Sequence, residues 1–158
     1  MRIKSLLIIL SFLLLKCSVL HADNFLVSIA ITEGESSKDS WSSNTSINII
    51  GNTLSYFKSY GGSKKRKNDS IDKNYSLTNE QVSSIRSLIR DLGLMTSQEV
   101  ITERKSPSHF VTISGDFIME ERSSRIRIDG EYGLVEVNDL YKNSYEVINL
   151  IEKYLNGN

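Results

Sequence analysis

His109 is the one histidine after Ala22, and it stands beside Pro107 and Ser108. A serine nucleophile needs a base and an orienting group within hydrogen-bonding reach. Any Ser–His pair in this chain would therefore run through His109, whose place at an expected strand start suits a sheet-edge residue instead. Ser-x-x-Lys spacing, the arrangement of a Ser–Lys hydrolase, occurs at Ser55/Lys58 and Ser70/Lys73. In a chain so rich in serine and lysine, chance supplies such spacings. Glu120/Glu121 and Asp129/Glu131 are the carboxylate pairs that glycoside chemistry would need. Neighbours on a strand point to opposite faces, so Glu120 and Glu121 cannot share a cleft without a bulge. Asp129 and Glu131 flank Gly130, where a turn would leave both solvated.

Metal chemistry fares no better. A structural zinc site wants four Cys or His ligands, and residues 23–158 hold one histidine and no cysteine. Asn68, Asp69, Asp72 and Asn74 cluster oxygen ligands of the kind calcium takes. They lack the Asp-x-Asp-x-Asp-Gly spacing and have basic neighbours that repel a cation. No catalytic residue, metal ligand or cofactor is assigned on these patterns, and the chain reads as leaning away from an enzyme.

The sharpest charged feature is Lys64-Lys65-Arg66-Lys67. From Lys58 to Lys73 there are six basic and two acidic residues, a net charge of +4. Tyr56, Phe57 and Tyr60 lie just upstream, so charge and stacking surface adjoin. Trp41 stands in a Ser-rich polar stretch, and a large aromatic on a loop can anchor a partner. The binding candidates are therefore Trp41, Tyr56, Tyr60, Lys64, Lys65, Arg66 and Lys67. The expected partner is another exported protein, or an anionic polymer or surface meeting the basic loop. Asn44, Asn68 and Asn74 each begin an Asn-x-Ser pattern, which matters only in a eukaryotic host.

The expectation of export comes from the first 22 residues. Arg2 and Lys4 are followed by an apolar run from Leu6 to Leu15, broken only by Ser11, and by small Ala22. Basic start, short apolar centre and small terminal residue form a secretory signal, and the run is short of the roughly 20 residues a span needs. Cys17, the chain's one cysteine, is poorly placed for lipidation because the long, charged Lys16 precedes it. Cleavage near Ala22 would release a single domain, 23–158, to a periplasm or the medium. The whole chain has 19 basic and 19 acidic residues; three basic ones fall in the leader, so the remainder carries −3. That balance exerts no general pull towards nucleic acid.

The elements that would position these residues follow from periodicity. Phe25, Val27, Ile29 and Ile31 alternate as one face of a strand. Glu33 to Asn44 reads as a loop. Ser46 to Tyr60 reads as a hairpin turning at Gly51-Asn52. Gly61 to Asn74 reads as a second loop. Thr78 and Gln81 form a capping box, Leu77 and Val82 a hydrophobic staple, and Gly93 a left-handed stop, which together predict a helix over about 79–92. Thr96 to Pro107 reads as a polar connection. His109 to Val137 reads as a β-meander with turns at Gly115-Asp116 and Asp129-Gly130 and a last short strand through Leu134, Val135 and Val137. A closing helix spans about 140–155. The sum is an α+β domain: an antiparallel sheet of about five to seven strands, packed on one side by two helices, in the order strands–helix–strands–helix.

That order, with a helix opening Leu77-Thr78-Asn79-Glu80-Gln81 and running to Leu92-Gly93-Leu94, resembles small bacterial proteins of the emfourin type. The resemblance covers the arrangement of most of residues 23–158 and implies a proteinaceous inhibitor of metalloproteases. Where that family's first strand pair has a Gly-Gly-Phe-like turn, this chain has Ile31-Thr32-Glu33-Gly34-Glu35. No inhibitory residue is carried over. The function expected is that of a non-enzymatic binding or inhibitory domain; the alternatives are a small carboxylate- or Ser/Lys-dependent hydrolase and a structural envelope component.

Overall fold

The structure is a computed structural model that describes residues 24–36, 40–62, 70–105 and 108–157. The expected leader with Cys17, the basic run Lys64–Lys67, Asn68, Asp69 and Pro107 lie outside the described residues. The chain is α+β. Strands β1 (Phe25–Glu35), β2 (Trp41–Ile50), β3 (Thr53–Gly62) and β4 (Ser70–Ser76) precede helix α1 (Asn79–Asp91). Strands β5 (Gln98–Ile101), β6 (His109–Met119) and β7 (Arg122–Glu131) follow, then the single turn α2 (Tyr132–Val135) and helix α3 (Asp139–Leu155). They form one seven-stranded sheet in the order β4-β3-β2-β1-β6-β7-β5. Every pairing is antiparallel except β5 with β7, which is parallel.

Alternation along the central strands buries one set of side chains. Val27, Ile29, Ile47, Ile49, Leu54, Val111, Ile113, Phe117, Ile126 and Ile128 are sealed from solvent. They join Ile85 and Ile89 of α1 and Val147 and Ile151 of α3 in one apolar cluster. Full burial of such side chains contributes roughly 1.5–3 kcal/mol each. The long helices are locally well specified. The Thr78 hydroxyl accepts from the Gln81 amide, and the Gln81 side chain accepts from the Thr78 amide. Gly93 takes a φ of 69°, and the Leu94 amide reaches back to the Ile89 carbonyl at 3.0 Å. Asn138 caps α3 through the Leu140 amide. Asn143 of α3 donates to the Leu92 carbonyl at 3.1 Å, tying the end of α1 to it.

Several expected loops are strands. β1 and β2 run through Glu33–Asn44 as far as the pair Glu35–Trp41. Serine and asparagine are tolerated there because they bond across the strands: Thr32 donates to Asn44 at 2.9 Å and Ser28 to Asn48 at 2.8 Å. β4 occupies the second expected loop, with Ser55 donating to Asn74 at 2.8 Å. β5 lies within the expected polar connection. It is four residues long, and its parallel partner β7 is what holds it extended.

Two expected turns are strand interiors, and one expected strand is a turn of helix. Gly115 sits in mid-β6 because a Cβ there would lie 2.9 Å from Ile126 Cγ1. Gly130 sits within β7, where a Cβ would come 2.9 Å from Thr102 Cβ and 3.0 Å from Val135 Cγ1. Both glycines answer to close packing rather than chain reversal. The reversal falls at Glu120-Glu121, between the paired Met119 and Arg122, with Glu120 at φ 59° and ion-paired to Arg90 at 2.6 Å. Leu134, Val135 and Val137 do not form a strand. Val135 alone is buried, while Leu134 and Val137 are exposed.

Candidate functional site

Strand alternation decides which of the singled-out residues meet. Leu54, Tyr56, Lys58 and Tyr60 share the face of β3 that turns towards the core, while Ser55, Phe57 and Ser59 share the other. The register sets Tyr56 opposite Lys73 and Lys58 opposite Ile71. Tyr56, Lys58, Tyr60, Ile71 and Lys73 therefore line one groove of about 190 Å³, together with Glu152 and Leu155 from the last turn of α3 and its C-cap Asn156. The Lys58 ammonium lies 5.5 Å from the centre of the Tyr60 ring, within the range of a cation–π attraction. Tyr56 donates its hydroxyl to Glu152 at 2.9 Å. Burial, then this bond to a carboxylate, pushes the Tyr56 phenol well above its ordinary range. Glu152 is thus engaged by Tyr56, and neither Lys58 nor Lys73 has a carboxylate partner among the described residues.

Tyr56 and Tyr60 are brought together as binding candidates; Lys64, Lys65, Arg66 and Lys67 lie outside the described residues. Sequence reasoning missed Ile71, Glu152 and Leu155. The alternation Tyr56-x-Lys58-x-Tyr60 was a readable sign of a shared face; Ile71-x-Lys73-x-Tyr75 is its counterpart on β4, a strand that only the pairing with β3 reveals. The contribution of α3 had no local signal.

Trp41 belongs elsewhere. Its ring turns towards His109, 5.6 Å away, and its indole N–H donates to Glu35 at 3.3 Å. His109 stacks on Tyr132 at 4.5 Å, Tyr132 meets Tyr141 edge-on at 6.0 Å, and Tyr141 lies 4.6 Å from Tyr145. The Tyr145 hydroxyl donates to Glu33. Burial raises the Tyr141 and Tyr145 phenols well above their ordinary values, and the Glu33 carboxylate adds to the shift at Tyr145. Phenols held neutral in this way serve as packing and hydrogen-bond donors. Among the described residues, His109 Nε2 is buried without a hydrogen-bond partner, as are Glu131 Oε2 and Thr102 Oγ1.

The catalytic candidates do not assemble. Ser55 and Lys58 project from opposite faces of β3, and Ser70 and Lys73 from opposite faces of β4. His109 has aromatic neighbours and, among the described residues, no serine bonded to it. Glu120 is spent on Arg90. Asp129 and Glu131 share the sheet's outer face rather than flanking a turn, and Asp129 is bound by Arg104, with Arg127 at 3.8 Å. Asp72 and Asn74 lie on β4, with Asn74 held by Ser55. Among the described residues no group of three or more His, Cys, Asp or Glu is placed to hold a metal. Among them, too, no helix is long and apolar enough to cross a membrane.

Compared with protein-family models and with curated proteins, the sequence finds no match.

Proposed function

We propose that the chain is an exported, non-enzymatic binding or inhibitory domain that acts on another exported protein. One observation carries this reading: Tyr56, Lys58, Tyr60 and Lys73 line a single groove whose two ammonium groups lack carboxylate partners among the described residues. Such a groove suits an acidic or aromatic segment, because cation, ring and apolar wall are offered together. In sequence, Lys64–Lys67 join the two strands that wall the groove, so the added charge has the same sign. In this reading the order strands–helix–strands–helix leaves both long helices on one side of the sheet, the arrangement behind the emfourin-type resemblance. Inhibition of an exported protease is then the form the binding takes. The leader, 1–22, delivers the domain to a periplasm or the medium.

The test is capture of the host's exported proteins on tagged residues 23–158, with identification by mass spectrometry. A dominant partner should be lost on Lys58→Glu with Lys73→Glu, with the melting temperature preserved. A partner retained by that variant, or lost only with the fold, would sink the reading.

A further inference from the structure

β4 is one edge of the sheet, and all seven of its residues are exposed. One side of its backbone pairs with β3; along the other, no described strand runs. The opposite edge, β5, is only four residues long. An edge of this length with no described strand along it is a template for a further strand, and β-strand addition is a recurring way to bind an extended peptide.

The side chains say which strand fits. On the groove side, β4 presents Ile71, Lys73 and Tyr75, with Ile71 and Tyr75 exposed at 41% and 37%. On the other side it presents Asp72 and Asn74. The groove side reads apolar–basic–apolar in either direction, so a parallel and an antiparallel partner meet the same pattern. A second copy of this chain is a poor fit. Pairing that continues the sheet keeps each face with its like, so full-length self-pairing sets Lys73 against Lys73. Re-centring the antiparallel pair on Asp72, a register shift of two residues, sets Asp72 against Asp72, while re-centring it on Asn74 avoids a like-charge pair but shortens the ladder. Like charges directly opposite are destabilising, and opposite charges are favourable.

Building on the groove as the binding surface, we infer that β4 accepts an eighth strand from a partner protein, with the pattern apolar–x–acidic–x–apolar. The partner's acidic residue sits beside Lys73, its two apolar residues extend the wall made by Ile71 and Tyr75, and backbone bonds to β4 supply the rest. Lys73 thus disfavours full-length self-pairing and selects the partner.

The probe is an acetylated, amidated heptapeptide, Thr-Val-Thr-Glu-Thr-Val-Thr, added at millimolar concentration to residues 23–158. Amide hydrogen exchange should slow along Ser70–Ser76. The peptide with lysine in place of glutamate should bind roughly fivefold or more weakly, and Lys73→Glu should reverse the preference. A peptide N-methylated at alternate amides should give no protection. Absence of protection along β4 overturns the inference, as does a preference that Lys73→Glu leaves unchanged. Binding that Lys58→Glu abolishes but that never protects β4 leaves the groove standing and removes the added strand. Self-association through β4, seen by sedimentation, would replace the foreign strand with a second copy.

Discussion

Tyr56 on β3 donates its hydroxyl to Glu152 on α3 at 2.9 Å, joining residues 96 positions apart. The bond fixes the end of α3 against the groove and occupies the one acidic side chain that lines it among the described residues. Tyr56→Phe keeps the ring and removes the bond. We expect a loss of about 1 kcal/mol in urea unfolding, and weaker binding of an acidic ligand because Glu152 is then free to engage Lys73 or repel the ligand. Unchanged affinity would show that Glu152 does not govern the groove's charge.

Tyr56, Tyr141 and Tyr145 all have phenols raised above the ordinary value. The unfolded chain loses these protons near its ordinary tyrosine range, about pH 10, while the folded chain keeps them to higher pH. The stabilisation is therefore fully present below about pH 10 and is lost as pH rises from there towards the folded values. Unfolding midpoints measured across that alkaline range should fall with pH. The slope should be shallower in Tyr145→Phe, and an identical slope would show that this phenol does not contribute.

Gly115 and Gly130 tell packing from turn chemistry. A methyl at Gly115 meets Ile126 and Phe117, and one at Gly130 meets Thr102 and Val135. Gly115→Ala should cost about 1–3 kcal/mol by overpacking. Ile126→Val in the same chain should return part of that loss, because it opens space where the methyl collides. Thermal melts of the single and double variants would decide it, and simple additivity would contradict the collision.

Trp41 contacts His109 and Glu35 rather than the groove. Trp41→Ala should therefore lower the melting temperature while leaving binding through Lys58 and Lys73 intact at temperatures where the fold persists. Loss of binding at full stability would return Trp41 to the binding surface.

Thr78→Ala removes half of the capping box and should cost about 1 kcal/mol. Thr78→Ser should keep most of it. Equal losses in the two variants would mean that the β-branched side chain, rather than its hydroxyl, matters at this position.

What could be read locally was what local physics determines. The start of α1 rests on residues three apart and its stop on Gly93, so a helix over about 79–92 was legible without any tertiary contact. The hairpin at Gly51-Asn52 was legible for the same reason: Gly51 takes a φ of 58°, and the apolar alternation on both sides set the pairing. β4 and β5 were not legible, because exposed edge strands need no apolar period; backbone bonds to β3 and β7 hold them. Glycine misled at Gly115 and Gly130, since a missing Cβ serves close packing as well as a turn, and only the neighbouring strand shows which.

The candidate site divides the same way. Tyr56, Lys58 and Tyr60 share a face by the two-residue period of a strand, which the sequence alone determines once β3 is recognised. That Lys73 stands opposite Tyr56, that Glu152 reaches in from α3, and that Ser55 and Lys58 part company were decided by register and by helix packing. Those depend on burying one face of the whole sheet, a requirement that acts between residues far apart in the chain.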